Sequence, residues 1–190
     1  MKIFIAGDSF AADWSIKYPT MQGWPNMLAD IHTVTNAAEA GCGEYKILKQ
    51  LTSHALADYD AVIVSHTSPY RIHTTFHPTH SKDKLHYNSD FIYEDCRAHK
   101  LKFMTEYFEK CYDLDYAKYV HTQICKDIDL ATNINNAIHI THSTWEELWQ
   151  FPELLNFEGV AQLEPGNANH YSASGNQLVF DTLNDRLANM

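Results

Sequence analysis

The sequence predicts an α/β fold, an open parallel sheet with helices on both faces. Short apolar segments without polar alternation, such as 2–6 and 61–64, read as buried parallel strands. Helical periodicity fills the stretches between strands, and each strand closes on polar or glycine-containing residues. That alternation places the loops after the strands in one crevice. At 190 residues with no break in composition, residues 1–190 are expected to form a single domain.

Lys2 to Ala6 is the first strand and runs into Gly7-Asp8-Ser9. Trp24, Met27, Leu28 and Ile31 follow the i, i+3, i+4, i+7 pattern of a helix that Pro25 suits as an opening residue. His32 to Ala37 is the second strand, with Gly41 and Gly43 in the loop beyond it, and Ile47, Leu51 and Ala55 mark the second helix. The third strand is Ala61-Val62-Ile63-Val64, closed by Ser65-His66-Thr67-Ser68-Pro69. An aperiodic, polar and aromatic stretch follows, read as an insertion around residues 70–95. Met104 to Ile124 suggests one long helix, or two broken near Asp113 to Asp115, and Ala137 to Thr141 is a fourth strand. Ser172 can cap a last helix whose core face includes Val179, Leu183 and Leu187.

The formal charge of −10 argues against nucleic acid or an anionic membrane surface as a partner, since both attract basic patches. No apolar run approaches the roughly 20 residues of a membrane span. Because Met1 to Ala6 passes at once into the Gly-Asp-Ser turn, it reads as a strand and not as a secretion signal. A cytoplasmic protein is expected, in the host cytoplasm if the chain is phage-encoded. Cys42, Cys96, Cys111 and Cys125 are too scattered for zinc or redox motifs and are read as idle thiols.

Ser9, Gly41 and Thr67-Ser68 all fall on loops after strands, and His170 stands just before the last helix. A serine hydroxyl becomes nucleophilic when a base takes its proton, and a histidine can return that proton to the leaving group. The developing oxyanion needs preorganised donors, which strand-end loops supply.

These segments resemble the SGNH, or GDSL-like, hydrolases, a family of esterases, lipases, thioesterases and carbohydrate deacetylases with a three-layer α/β/α, flavodoxin-like fold. Ile5-Ala6-Gly7-Asp8-Ser9-Phe10 is similar to the family's first block, Asn36 to Gly41 to its second, and Asn167-Ala168-Asn169-His170 to its last. The resemblance implies that Ser9 is the nucleophile, His170 its base, and the amides of Ser9 and Gly41 oxyanion donors. The chain departs from the family in two places. Ser65 to Arg71 replaces the usual Gly-x-Asn-Asp turn, so a Thr67 or Ser68 hydroxyl becomes the candidate third donor. Asn167 stands where the family has aspartate, leaving Asn167, Glu164 or a backbone carbonyl to orient His170 in a dyad or a triad.

The resulting expectation is a serine esterase acting on an acyl ester, with acetyl on a carbohydrate as one candidate substrate, and requiring no cofactor. The alternative is an SGNH-fold binding or virion-associated protein with little turnover, to which the two departures point. His73, His77, His80 and His86 are read as loop histidines and not as a metal site; Pro78 and Thr74-Thr75 disfavour the helix that would align His73 with His77. Tyr70, Phe76, Tyr87, Phe91 and Tyr93 are read as packing of the insertion or as lining of a pocket, with the same two readings for Trp14 and Trp24. Arg71 is read as a structural ion-pair residue or a contact to an anionic substrate group, and His66 and His142 as alternative bases.

Overall fold

The computed structural model of the chain describes residues 1–133, 136–143, 149–163 and 170–190, with the side chains of 161–163 left aside. Its sheet contains β1 (Lys2–Gly7), β2 (Thr33–Asn36), β3 (Ala61–Ser65), β4 (Ala137–Thr141) and β5 (Leu154–Asn156). The strands lie in the order β2-β1-β3-β4-β5, and every pairing is parallel. Parallel neighbours require crossovers, which the helices supply. The helices are α1 (Trp24–Ile31), α2 (Glu44–Thr52), α3 (Tyr93–Ala98), α4 (Lys102–Lys110), α5 (Leu114–Thr132), α6 (Glu158–Leu163) and α7 (Ala173–Ala188).

The strands lack polar alternation because both faces of the sheet are covered. Ile3, Ile5, Ile63, Ile138 and Ile140 pack with Trp24 and Leu28 of α1 and with Val179, Leu183 and Leu187 of α7. From the same strands Phe4, Ala6, Val62 and Val64 point the other way, onto Ile47 and Leu51 of α2 and Cys125 and Ile128 of α5. Each fully buried side chain of this kind contributes about 1.5–3 kcal/mol of transfer free energy.

The predicted elements are present with small differences at their ends. The helical stretch after the insertion breaks at Asp113, whose carboxylate accepts from the Tyr116 amide and opens α5. Ser172 caps α7, its hydroxyl accepting from the Gly175 amide. The second helix ends at Thr52, so Ala55 lies beyond it. α3, β5 and α6 have no counterpart in the sequence reading. β5 is three residues long and α6 six, too short for a period to register. All four cysteines are free thiols. Among the described residues no helix is long and apolar enough to cross a membrane.

In the order 2-1-3-4-5 the chain leaves β1 toward one edge and returns at β3 toward the other, so a crevice opens at the carboxyl ends of β1 and β3. Ser9 and Thr67 stand at those two ends. Gly7 pairs with Ser65 there, and a Cβ on Gly7 would lie 2.6 Å from that of Ser65 and 3.0 Å from that of Ala11.

Ile63 is fully buried in the middle of the sheet. Ile63→Ala is expected to lower unfolding free energy by about 2–5 kcal/mol, measured by urea denaturation, through lost burial and the cavity left behind.

Candidate active site

Ser9 follows β1 in a turn that its neighbour Asp8 builds. The Asp8 carbonyl accepts from the amides of Ala11 and Ala12, and its Oδ1 accepts from the amide of Phe10. Only 7% of Ser9 is exposed. Nε2 of His170 lies 3.0 Å from Ser9 Oγ, hydrogen-bond distance for proton transfer. The structure therefore brings together the two residues paired from the sequence. His170 stands two residues before the Ser172 cap, with φ of 67°, in the left-handed region that side chains seldom occupy.

Aromatic rings set the position of the imidazole. Phe10 lies tilted against His170 at 4.6 Å between centroids, and its ring also stacks on His142 at 4.1 Å. Trp14 meets His170 edge-on at 6.3 Å and donates Nε1–H to the Ser9 carbonyl at 2.8 Å. Trp24 donates in the same manner to the Phe10 carbonyl. Both tryptophans therefore brace the turn that carries Ser9.

Burial pushes the pKa of His170 down; Asp8 opposes this, and the positive charges of Arg71 and His86 add to it, leaving the value below 6.5. The ring is neutral near pH 7 and able to accept a proton. Burial pushes Asp8 above the ordinary carboxylate value, against the pull of Arg71 and of hydrogen bonds from Phe10 and Thr67.

A chain of polar contacts joins the loops after three strands. Thr67 donates its hydroxyl to Asp8 Oδ2 at 2.8 Å. Arg71 Nε donates to Thr67 Oγ1 at 3.3 Å, and Arg71 Nη1 donates to the Gly41 carbonyl at 3.0 Å. Gly41 has φ of 81°, and a Cβ there would lie 2.9 Å from that of Ser89. Both the backbone angle and the close approach call for glycine. Among the described residues, neither the Ser9 nor the Gly41 amide has a hydrogen-bond acceptor. The Thr67 hydroxyl proton is already given to Asp8, whereas Ser68 Oγ accepts from the Tyr70 amide and retains its proton. Asn167 and Glu164 lie outside the described residues.

His66 and His142 are both buried. His142 contacts Tyr171 Oη through Nδ1 and lies 2.7 Å from Ser65 Oγ through Nε2. Burial, reinforced by His170 and His66, holds its pKa well below the ordinary value. His66 Nδ1 lies 2.6 Å from Glu44 Oε1, and its Nε2 lies 3.0 Å from His139 Nδ1. Glu44 also accepts from the Thr67 amide, at 3.0 Å, and stands 3.6 Å from His121. Burial alone would raise Glu44, but His66 and His121 overcome it and hold the carboxyl far below its usual range. His121 is raised despite burial because Glu44 faces it. Burial, then the charge of His66, pushes His139 down to about 3.

Sequence reasoning missed Glu44, His121 and His139 as a group because they come from three separate elements with no shared motif. Beside them opens a cavity of about 520 Å³. Arg71, His121, Tyr112 and Ser68 are among its lining residues. Arg71 thus faces the cavity while holding the loops beside Ser9.

Two solved structures resemble the chain at low similarity. One is a lipolytic protein of the G-D-S-L family from Desulfitobacterium hafniense DCB-2, at 15% identity and a TM-score of 0.48, covering 98% of each chain. The other is the acetyl xylan esterase AlAXEase, at 11% identity and a TM-score of 0.47, covering 98% of this chain and 99% of that one. No protein-family model and no curated protein sequence matches.

Two outcomes are expected from this geometry. Gly41→Ala is expected to destabilise the protein by about 1–3 kcal/mol, the usual cost of a strained backbone position, read as a lower urea midpoint. The second concerns acid. An unfolded histidine binds a proton below about 6.5, while His139 stays neutral in the fold down to about 3 and His142 also resists protonation. The unfolded state then binds more protons, so these two groups lower stability as pH falls from 6.5 toward 4. Urea midpoints measured across that interval are expected to decline, and replacing His139 by Asn is expected to flatten the decline.

Proposed function

We propose that the chain is an SGNH-type serine hydrolase that cleaves a carboxylic ester through Ser9 and His170. The observation that carries the reading is the 3.0 Å contact between His170 Nε2 and Ser9 Oγ at the carboxyl end of β1. His170 takes the Ser9 proton as Oγ attacks the acyl carbonyl, and the free amides of Ser9 and Gly41 donate to the oxyanion. The imidazolium then protonates the departing alcohol, and the acyl group remains on Ser9. In the second half His170 takes a proton from water, which attacks the acyl-serine, and returns it to Ser9 as the acid leaves.

Asp8 supplies negative charge near His170 and favours the imidazolium formed in each half-reaction. It supports the base electrostatically, with Asn167 as the proposed ring-orienting neighbour. Ser68 is the better third-donor candidate of the two hydroxyls, since that of Thr67 is engaged by Asp8. A small acyl group such as acetyl, on a carbohydrate or another alcohol, is the proposed substrate class. The competing reading, a binding or virion-associated protein with little turnover, draws on the engaged Thr67 hydroxyl.

Hydrolysis of p-nitrophenyl acetate and labelling by a fluorophosphonate separate the two. Wild type is expected to turn over and to label, and Ser9→Ala to do neither while keeping its circular dichroism. Labelling that persists in Ser9→Ala, or absence of labelling in wild type, would reject the nucleophile assignment. Because the base acts when neutral and its pKa is lowered, kcat/KM is expected to rise through an inflection below pH 6.5. Removing the raising influence of Asp8 in Asp8→Asn should move that inflection to still lower pH, as read from the acid limb of the rate profile.

A further inference from the structure

The insertion carries a histidine cluster remote in role from the Ser9 chemistry. Its turn at 77–81 is closed by the Ser81 amide donating to the His77 carbonyl. His77, only 1% exposed, lies within that turn. Its Nε2 is buried, has no hydrogen-bond partner, and faces Asp95 Oδ2 at 3.3 Å. Asp95 belongs to α3 and also faces Nε2 of His80, at 3.1 Å from Oδ1 and 3.2 Å from Oδ2. His99, which ends α3, approaches Asp95 from the solvent side at 3.4 Å.

The donor atoms of His77, His80 and Asp95 all lie within 4.8 Å of one another. Zinc bonds of about 2.0–2.2 Å to nitrogen and oxygen place ligand atoms roughly 3.3 Å apart around a tetrahedron. The nitrogen-to-carboxylate separations here already have that length. Two imidazoles and one carboxylate suit zinc or a neighbouring first-row divalent ion. The amides of Thr79 and His80 approach His77 Nδ1 at 3.3 and 3.4 Å. Coordination through Nε2 puts the ring proton on Nδ1, so a small turn of the ring must open these two long contacts.

We propose that His77, His80 and Asp95 form a zinc site that pins the insertion to α3, with the remaining position open on the side where His99 stands. The sequence reading took His73, His77, His80 and His86 as loop histidines and not as a metal site; His73 stands apart from the three ligands, approaching Asp90 at 3.4 Å. The site's consequence is mechanical. Between the pinned turn and α3, Asn88 binds Glu39, Ser89 packs against Gly41 and Asp90 accepts from the Gly43 amide. The ion fastens the segment that supports the Gly41 loop.

The test uses the full chain in a Cys111→Ser background, which removes the exposed thiol as a competing ligand. After chelator treatment and buffer exchange, titration calorimetry with zinc chloride is expected to saturate at one ion per chain, and zinc to raise the melting temperature. His80→Gln and Asp95→Asn alter partly exposed residues and should retain the fold. Each is expected to weaken binding by about 100-fold or more, beyond the effect of losing a group that only supports a ligand. His77→Gln should do the same, and His73→Gln should bind as the parent does. Cobalt is expected to give the visible absorption of a four-coordinate site in the parent and to lose it in Asp95→Asn. Failure of the chelated protein to take up one zinc, or equal affinity in the parent, His80→Gln and Asp95→Asn, would overturn the site. Equal zinc-dependent melting shifts in all three would do so as well.

Discussion

The close approach of β1 to β3 at Gly7 governs the carboxyl edge of the sheet. With no side chain at Gly7, Ser65 and Ala11 pack against the strand end, and the chain turns at once into Asp8 and Ser9. A larger residue would push the Ser9 turn away from the β3 loop and break the contact of Asp8 with Thr67. The strand order adds the second half of this constraint, because the two crossovers leaving β1 and entering β3 diverge and cannot fill the space between them.

Charge is distributed unevenly beneath that edge. Above the sheet end, Asp8 and Arg71 act together on His170, one favouring its charged form and the other opposing it. Below it, Glu44 at the start of α2 keeps its charge among His66, His121 and the Thr67 amide. A helix start is a favourable place for a carboxylate. Breaking such a buried set by removing one member leaves the others uncompensated, so its main contribution is to fix one arrangement of the β3 loop. Thr67 belongs to both groups, donating its amide to Glu44 and its hydroxyl to Asp8.

Much of the fold was legible because its signals are local. β1, β3 and β4 appear as apolar runs, α1 and α7 as periodic stretches with a proline or serine at their start. β5 and α6 were not legible, being too short to show a period. Ser9, Gly41 and His170 were singled out because each sits in a recognisable block, and the structure brings Ser9 and His170 into contact at the carboxyl end of β1. Asp8 was in plain view within the first block, yet its role depends on Thr67 and Arg71, which come from a different strand end. Glu44 carried no signal in the sequence at all, since an acidic residue in a first helical turn is usually solvated. The His77 to Asp95 pairing was hidden for a related reason. Its members share no period along the chain, because one turn at 77–81 meets a helix that begins at Tyr93.

The left-handed backbone of His170 has a further bearing on how a substitution there should be chosen. Alanine at that position removes the imidazole and tolerates the left-handed region less well than histidine does, so any loss mixes missing chemistry with added backbone strain. Glycine relieves the strain while loosening the approach to α7. Asparagine, which tolerates this region and keeps a polar group of modest size, isolates the missing proton acceptor from the shape of the chain that delivers it.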